Sequence, residues 1–195
     1  EQTAPAAAGA AGDVPAETEI DESVPAKAEA AEGAPAEAAL DDASAQNVAL
    51  PAAEQFVPVE ISPDAGLDSV HEGQAGGQRV GYTAQINVGG YGGRIEVVVG
   101  MDMDGLLTGI SVGGEDFAET PGLGAKAMDA EFRDQFVGLA PIVSIGSGDG
   151  ASVDAISGAT VTSEAVVTGV NQCAEFLKTL LPQGVFQQLT PAETQ

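Results

Sequence analysis

Three consecutive strand patterns joined by short, glycine-bearing connections confine the folded part of this chain to an architecture built on an antiparallel meander. The patterns are Val80–Val88, Arg94–Met101 and Leu106–Val112. The middle one concentrates Ile95, Val97, Val98 and Val99, β-branched side chains that pack well on a pleated surface. Between the second and third lies Asp102-Met103-Asp104-Gly105, where Gly105 can supply the positive φ of a tight turn. Val57–Ile61 alternates like another strand, and Ile142–Ile145 is a further short one. Asp64–Gln78 is rich in glycine and weakly patterned, so it reads as a loop, with His71 inside it and without a partner. A short helix is expected within Asn47–Phe56, ending at Pro51, and another over 127–137, with Met128, Phe132 and Phe136 on one face. A long helix is expected from about Thr162 to Leu181. Its stripe Val166, Val170, Cys173, Leu177 and Leu180 follows the 3.6-residue period, and Pro182 and Gly184 stop it. The expected class is α+β, an antiparallel sheet with packed helices, in a domain over residues 49–195 large enough for one core.

The first 48 residues obey a different rule. They hold eleven acidic residues, a single base at Lys27, and mostly alanine otherwise. Pro5, Pro15, Pro25 and Pro35, each followed by alanine, mark a degenerate ten-residue repeat. Such a segment has too few large apolar side chains to bury a core, and proline at that spacing forbids one long helix. Residues 1–48 are therefore expected to be a disordered acidic Ala/Pro-rich tether, with a span of about 35–40 Å.

Charge and rare residues exclude several functions. Six basic residues face thirty acidic ones, for a net charge of −24. That surface repels nucleic acid and anionic headgroups, so no nucleic-acid partner is expected; it serves solvation or attracts a basic partner. No apolar run approaches the ~18–20 residues needed to cross a bilayer, and no signal peptide is visible. The chain starts at glutamate, so a processed or truncated, soluble piece is expected, with any membrane anchor upstream of it. One cysteine cannot form an internal disulfide or ligate an iron–sulfur cluster, and one histidine cannot build a histidine-based zinc site. Asp102, Asp104, Glu115 and Asp116 match no EF-hand spacing and read as a solvated turn. No metal site is expected, and redox work would need an organic cofactor. Cys173, on the apolar stripe, reads as a buried structural thiol.

The most informative stretch is Asp154-Ala155-Ile156-Ser157-Gly158-Ala159-Thr160-Val161-Thr162-Ser163, a short apolar strand, a small-residue turn and a helix start. Ser157, Thr160, Thr162 and Ser163 offer hydroxyls where unpaired N–H groups and the positive dipole end favour a phosphate. Gly158 and Ala159 leave room for a bulky group to approach. The same residues also fit a plain Ser/Thr helix cap, and physical grounds leave both readings open. Gly122-Leu123-Gly124-Ala125-Lys126-Ala127 fits the dinucleotide pattern, but no βαβ unit surrounds it, so a tight loop is the better reading.

The segment Asp154-x-x-Ser157-Gly158-Ala159-Thr160 resembles the acceptor motif of FMN-binding domains whose flavin is attached by a dedicated flavin transferase. The resemblance implies that FMN is bonded covalently through its phosphate to Thr160. Ser157, Gly158 and Ala159 would shape the turn, with Val161, Thr162 and Ser163 at the helix start, and Asp154 would be part of what the transferase reads. Glu119-Thr120-Pro121-Gly122-Leu123-Gly124 is similar to a loop of the same family, and Tyr91-Gly92-Gly93 with the strand after it is a third match. Ala49–Phe56 resembles the lead-in to that domain. Residues 46–181 together resemble the G subunit of Rnf-type ion-translocating electron-transport complexes, to which the C subunit of sodium-pumping NADH:quinone reductase is related. Three departures stand out. The family's initial membrane helix is absent from this chain, a histidine often found before the Glu-Thr-Pro loop is replaced within Glu115-Asp116-Phe117-Ala118, and the acidic tail maps to nothing in the family.

The resemblance implies an electron carrier within a larger assembly rather than an independent enzyme. It would belong to a membrane-bound ferredoxin:NAD oxidoreductase complex that couples electron transfer to ion movement. The expected partners are the other membrane subunits, with a flavin transferase for maturation, at the outer face of a bacterial cytoplasmic membrane. Lys126 would place positive charge near a reduced flavin or simply sit on the surface, and Tyr91 would stack on the flavin or cap the sheet edge. Two other readings stay open: a free-standing extracytoplasmic flavoprotein shuttle, and a non-redox scaffold or sensory domain without flavin.

Overall fold

The alternation along β3 (Gln78–Gly89) and β4 (Arg94–Asp102) creates one apolar face that a long helix covers. The computed structural model describes residues 41–148 and 150–182; residues 1–40 of the expected tether lie outside the described residues. With β1 (Gln55–Pro58), β2 (Ser69–Ala75) and β5 (Leu107–Gly113), these strands form a five-stranded sheet in the order β1-β2-β3-β4-β5, antiparallel throughout. Tyr82, Ala84 and Ile86 share the core face with Ile95, Val97, Val99, Met101, Ile110 and Val112. Against it packs α3 (Thr160–Leu180), whose Val166, Val170, Cys173 and Leu177 are fully buried, each apolar side chain contributing about 1.5–3 kcal/mol relative to exposure. Cys173 Sγ points at the Ala84 carbonyl, and burial pushes its thiol pKa well up.

The other sheet face carries α1 (Asp42–Ala49). Asp41 caps it by accepting from Ser44 N–H at 2.8 Å. Ala45 and Ala49 pack on Val98, and Thr108 Oγ1 donates to the Ala49 carbonyl at 2.6 Å. A Cβ on Gly100 would overlap that carbonyl, so glycine there is what lets the helix end reach the sheet. The helix expected within Asn47–Phe56 is thus displaced towards the N-terminus, into the stretch read as tether. Its small residues, Ala45 and Ala49, become a packing face only when the glycine-bearing sheet is present.

Within the stretch expected to be the Asp64–Gln78 loop, Ser69–Ala75 is corrected to strand β2. Its residues are mostly polar and lack an apolar alternation, but Gly76 and Gly77, with φ of 56° and 76°, form a two-residue hairpin connection to β3. His71 is not without a partner: its Nδ1 lies 3.0 Å from Gln46 Nε2 of α1. The turn after β4 forms as expected, with Gly105 at φ 82° and the Asp102 carboxylate accepting from the Asp104 and Leu106 N–H groups, both at 2.9 Å. The helix expected over 127–137 is broken into a 3-10 turn at Gly124–Met128, α2 (Ala130–Arg133) and a second 3-10 turn at Asp134–Phe136. Asp129 takes an extended conformation between the first two, and Phe132 and Phe136 stack edge-to-face at 5.5 Å.

Two short parallel strands, β6 (Val143–Ile145) and β7 (Ala151–Val153), lead into α3. The Asn171 amide of α3 grips both backbone groups of Val143, at 2.9 and 2.8 Å. Among the described residues, no helix is long and apolar enough to cross a membrane.

Candidate functional site

The turn from β7 to α3 is built so that one threonine stands free at the helix start. Gln135 holds the Asp154 backbone, its Oε1 accepting from Asp154 N–H at 2.7 Å. Ala159 N–H bonds to the Ile156 carbonyl at 2.9 Å, and Gly158 takes φ 77° between them. Ser163 Oγ accepts from Ile156 N–H at 2.9 Å and donates to the Ala159 carbonyl at 3.0 Å, so this buried hydroxyl closes the turn from within. Thr160 is the first residue of α3, two residues earlier than the start expected from periodicity, and its side chain is exposed. Ala159 caps the helix without a side-chain hydrogen bond, and no acidic residue occupies the first turn. The leading N–H groups therefore carry the partial positive charge of an uncapped helix end, a favourable place for an anion.

Two loops distant in sequence meet this helix start. Glu119, only 7% exposed, accepts from Gly92 N–H through Oε1 at 3.0 Å and from the Thr162 hydroxyl through Oε2 at 2.8 Å. It thereby joins the Tyr91-Gly92-Gly93 turn, the loop from Glu119 to Gly124 and the first turn of α3. The latter loop turns through Leu123 N–H and Ala125 N–H, which both donate to the Thr120 carbonyl, at 3.1 and 3.2 Å.

Between these elements opens a cavity of about 500 Å³. Tyr91, Glu119, Thr120, Leu123 and Gly124 line one side, and Gly158, Ala159, Thr160, Val161 and Thr162 the other. Its mouth is apolar: Tyr91, Val161 and Leu123 are 75%, 53% and 43% exposed. A second cavity of about 450 Å³ lies beside the same turn and includes Lys126, Asp154 and Ser157, with Glu131 and Gln135. The residues singled out from the sequence thus divide between the two cavities, apart from Ser163, buried beneath the turn, and the loop tip. Pro121 and Gly122 sit exposed at the loop tip and line neither cavity. Lys126 lines the second cavity rather than the one containing Thr160. Gln135, which holds the Asp154 backbone just past β7, and Asn171, which holds Val143 of β6, carry no local sequence signal.

The donor set suits FMN. A free hydroxyl at an uncapped helix start matches a phosphate, apolar side chains flank a flat ring, and the cavity volume falls within the range of about 300–1,000 Å³ typical of cofactor sites.

Comparisons with known proteins point to one family. The FMN-binding domain family matches residues 90–175, from the Tyr91 turn through most of α3. The chain is 34% identical over 155 residues to the G subunit of the Na(+)-translocating ferredoxin:NAD(+) oxidoreductase complex of Acetobacterium woodii, covering 70% of this chain and 73% of that protein. It is 35% identical over 145 residues to the G subunit of the ion-translocating oxidoreductase complex of Methanosarcina acetivorans, covering 68% and 73%. Among solved structures it is similar to the C subunit of the Na(+)-translocating NADH-quinone reductase of Parabacteroides distasonis, with TM-score 0.51 and 26% identity. That match covers 60% of this chain and 64% of the solved one, slightly under two thirds of its length.

Proposed function

Since this chain belongs to the FMN-binding domain family of ion-translocating oxidoreductase G subunits, we propose that it is an electron-transfer component of an Rnf-type complex, carrying FMN in phosphoester linkage to Thr160. The observation that carries this reading is the exposed Thr160 hydroxyl at the uncapped start of α3, opening on the cavity of about 500 Å³. FMN, when bound, supplies exchange of one or two electrons. The chain's own residues do the rest. The Thr160 oxygen anchors the phosphate, and the leading N–H groups of α3 offset its charge. Tyr91, Leu123 and Val161 present an apolar rim to the ring, and Ser163 holds the turn that presents Thr160. Covalent linkage suits so open a site, since a freely dissociating flavin would be lost from it.

Asp154, exposed beside the second cavity with its backbone fixed by Gln135, is assigned to recognition by a flavin transferase. The partners are the other membrane subunits of the complex, and the site of action is the outer face of the membrane. The test is the intact mass of protein produced together with the transferase, followed by peptide mapping. The expected result is one FMN adduct on the peptide containing Thr160, with flavin absorbance that follows the polypeptide through denaturing gel filtration. A colourless protein of unmodified mass, or an adduct mapped to another residue, would overturn the proposal.

A further inference from the structure

We propose that Glu119 is a positioning residue, whose two carboxylate oxygens hold the Tyr91 turn against the first turn of α3 and so set the mouth of the cavity around Thr160. The inference rests on the reading that a flavin is attached at Thr160. A nearly buried carboxylate is costly unless it is paired or hydrogen-bonded, and Glu119 makes no ion pair among the described residues. What it has instead is one donor on each oxygen, from segments 27 and 43 residues away in sequence. The surroundings are shaped to that carboxylate. A Cβ on Gly90 would overlap Oε1, and a Cβ on Gly124 would overlap Oε2 and come within 2.9 Å of Thr162 Oγ1. Two glycines thus enclose the group, one against each oxygen. The Tyr91 turn closes the β3–β4 hairpin through the bond from Gly90 N–H to the Gly93 carbonyl at 2.8 Å, and its glycines lie close against the Asp116 and Ala118 backbone; Glu119 adds the side-chain link from this turn to α3. Tyr91 is 75% exposed, so the placement of its ring at the rim depends on the anchored backbone of Gly92 beside it.

The experiment compares wild type, Glu119→Ala, Glu119→Gln and Gly124→Ala, each produced both with the transferase and, for the flavin-free polypeptide, without it. Three quantities are read: intact mass, amide exchange at Gly92 by NMR on the flavin-free polypeptide, and the visible circular dichroism that an attached flavin acquires from its surroundings. In Glu119→Ala, Gly92 exchange should rise by about tenfold or more, as loss of a hydrogen bond to a charged group implies. The FMN adduct should remain while its induced dichroism is largely lost. Glu119→Gln should keep exchange within about threefold of wild type and retain the dichroism, because its amide can accept from Gly92 N–H and donate to Thr162 Oγ1. Gly124→Ala should reproduce the Glu119→Ala phenotype, and combining the two should add little. Wild-type exchange and dichroism in Glu119→Ala would overturn the proposal, and so would a glutamine variant indistinguishable from the alanine one. A wild-type protein without an adduct would sink the Thr160 reading alone, because Gly92 exchange in the bare polypeptide still decides whether Glu119 anchors the turn.

Discussion

Thr160 and Thr162 lie two residues apart on the same helical turn, yet they should fail in opposite ways when their hydroxyls are removed. Thr160 is exposed and its hydroxyl makes no hydrogen bond among the described residues, so Thr160→Val should change stability by no more than about 0.5 kcal/mol. Thr162 is 1% exposed and donates to Glu119 at 2.8 Å. In Thr162→Val the methyl replaces the hydroxyl and leaves a nearly buried carboxylate oxygen unpaired, at a cost of about 1.5–3 kcal/mol. At about 2–4 °C per kcal/mol for a chain of this size, Thr160→Val should melt within about 2 °C of wild type and Thr162→Val roughly 3–12 °C lower. Covalent flavin should follow the reverse order: absent from Thr160→Val, present at the same residue in Thr162→Val. Thermal unfolding by far-ultraviolet circular dichroism, paired with intact mass of the same samples, reads both. An FMN adduct on Thr160→Val, or an unshifted melting temperature in Thr162→Val, would refute the division of labour between the two threonines.

Other expectations rest on packing and burial. Gly100→Ala places a methyl against the Ala49 carbonyl and should destabilise the protein by about 1–3 kcal/mol in urea unfolding, by prising α1 off the sheet. Cys173, fully buried with its thiol pKa raised by desolvation, should resist alkylation at neutral pH and react fully only in denaturant, as thiol titration would show. Burial lowers the His71 pKa below its ordinary 6.5, while Asp42 opposes the shift. The unfolded state therefore binds the extra proton first, so the stability from neutral His71 is complete above about pH 6.5 and is lost as pH falls below it. Melting temperatures of wild type and His71→Gln should accordingly draw together between pH 7.5 and 5.5; a gap that widens on acidification would contradict this.

The legible parts of the fold are those whose stabilisation is local or periodic. The run Ile95 to Val99 and the stripe from Val166 to Leu177 each present apolar groups at the spacing of their element, so β4 and α3 could be placed closely. β2 could not. Its His71, Glu72 and Gln74 carry no apolar period, and it is a strand because β1 and β3 supply hydrogen bonds on both sides. Gly76-Gly77 was the available signal, a two-residue connection that favours a hairpin. The short helix lies N-terminal to its expected place for a related reason: alanines indistinguishable from those of the repeat become buried contacts only over Gly100 and Gly109. The break at Asp129 coincides with the start of α2, where its extended backbone accepts from the Phe132 and Arg133 N–H groups.

By itself the sequence determined the class of fold, the position of the small-residue turn before α3 and the residue types gathered in its three motifs, because each is written in a contiguous stretch. Only the tertiary structure decided how those stretches act on one another. Glu119 reaches Gly92 and Thr162 across 27 and 43 residues of chain, Ser163 turns inward while Thr160 turns out, and Lys126 falls into the neighbouring cavity. The physical reason is that a hydrogen bond or a buried contact depends on distance in space, which a chain of this length settles only when its sheet and helices close around a common core.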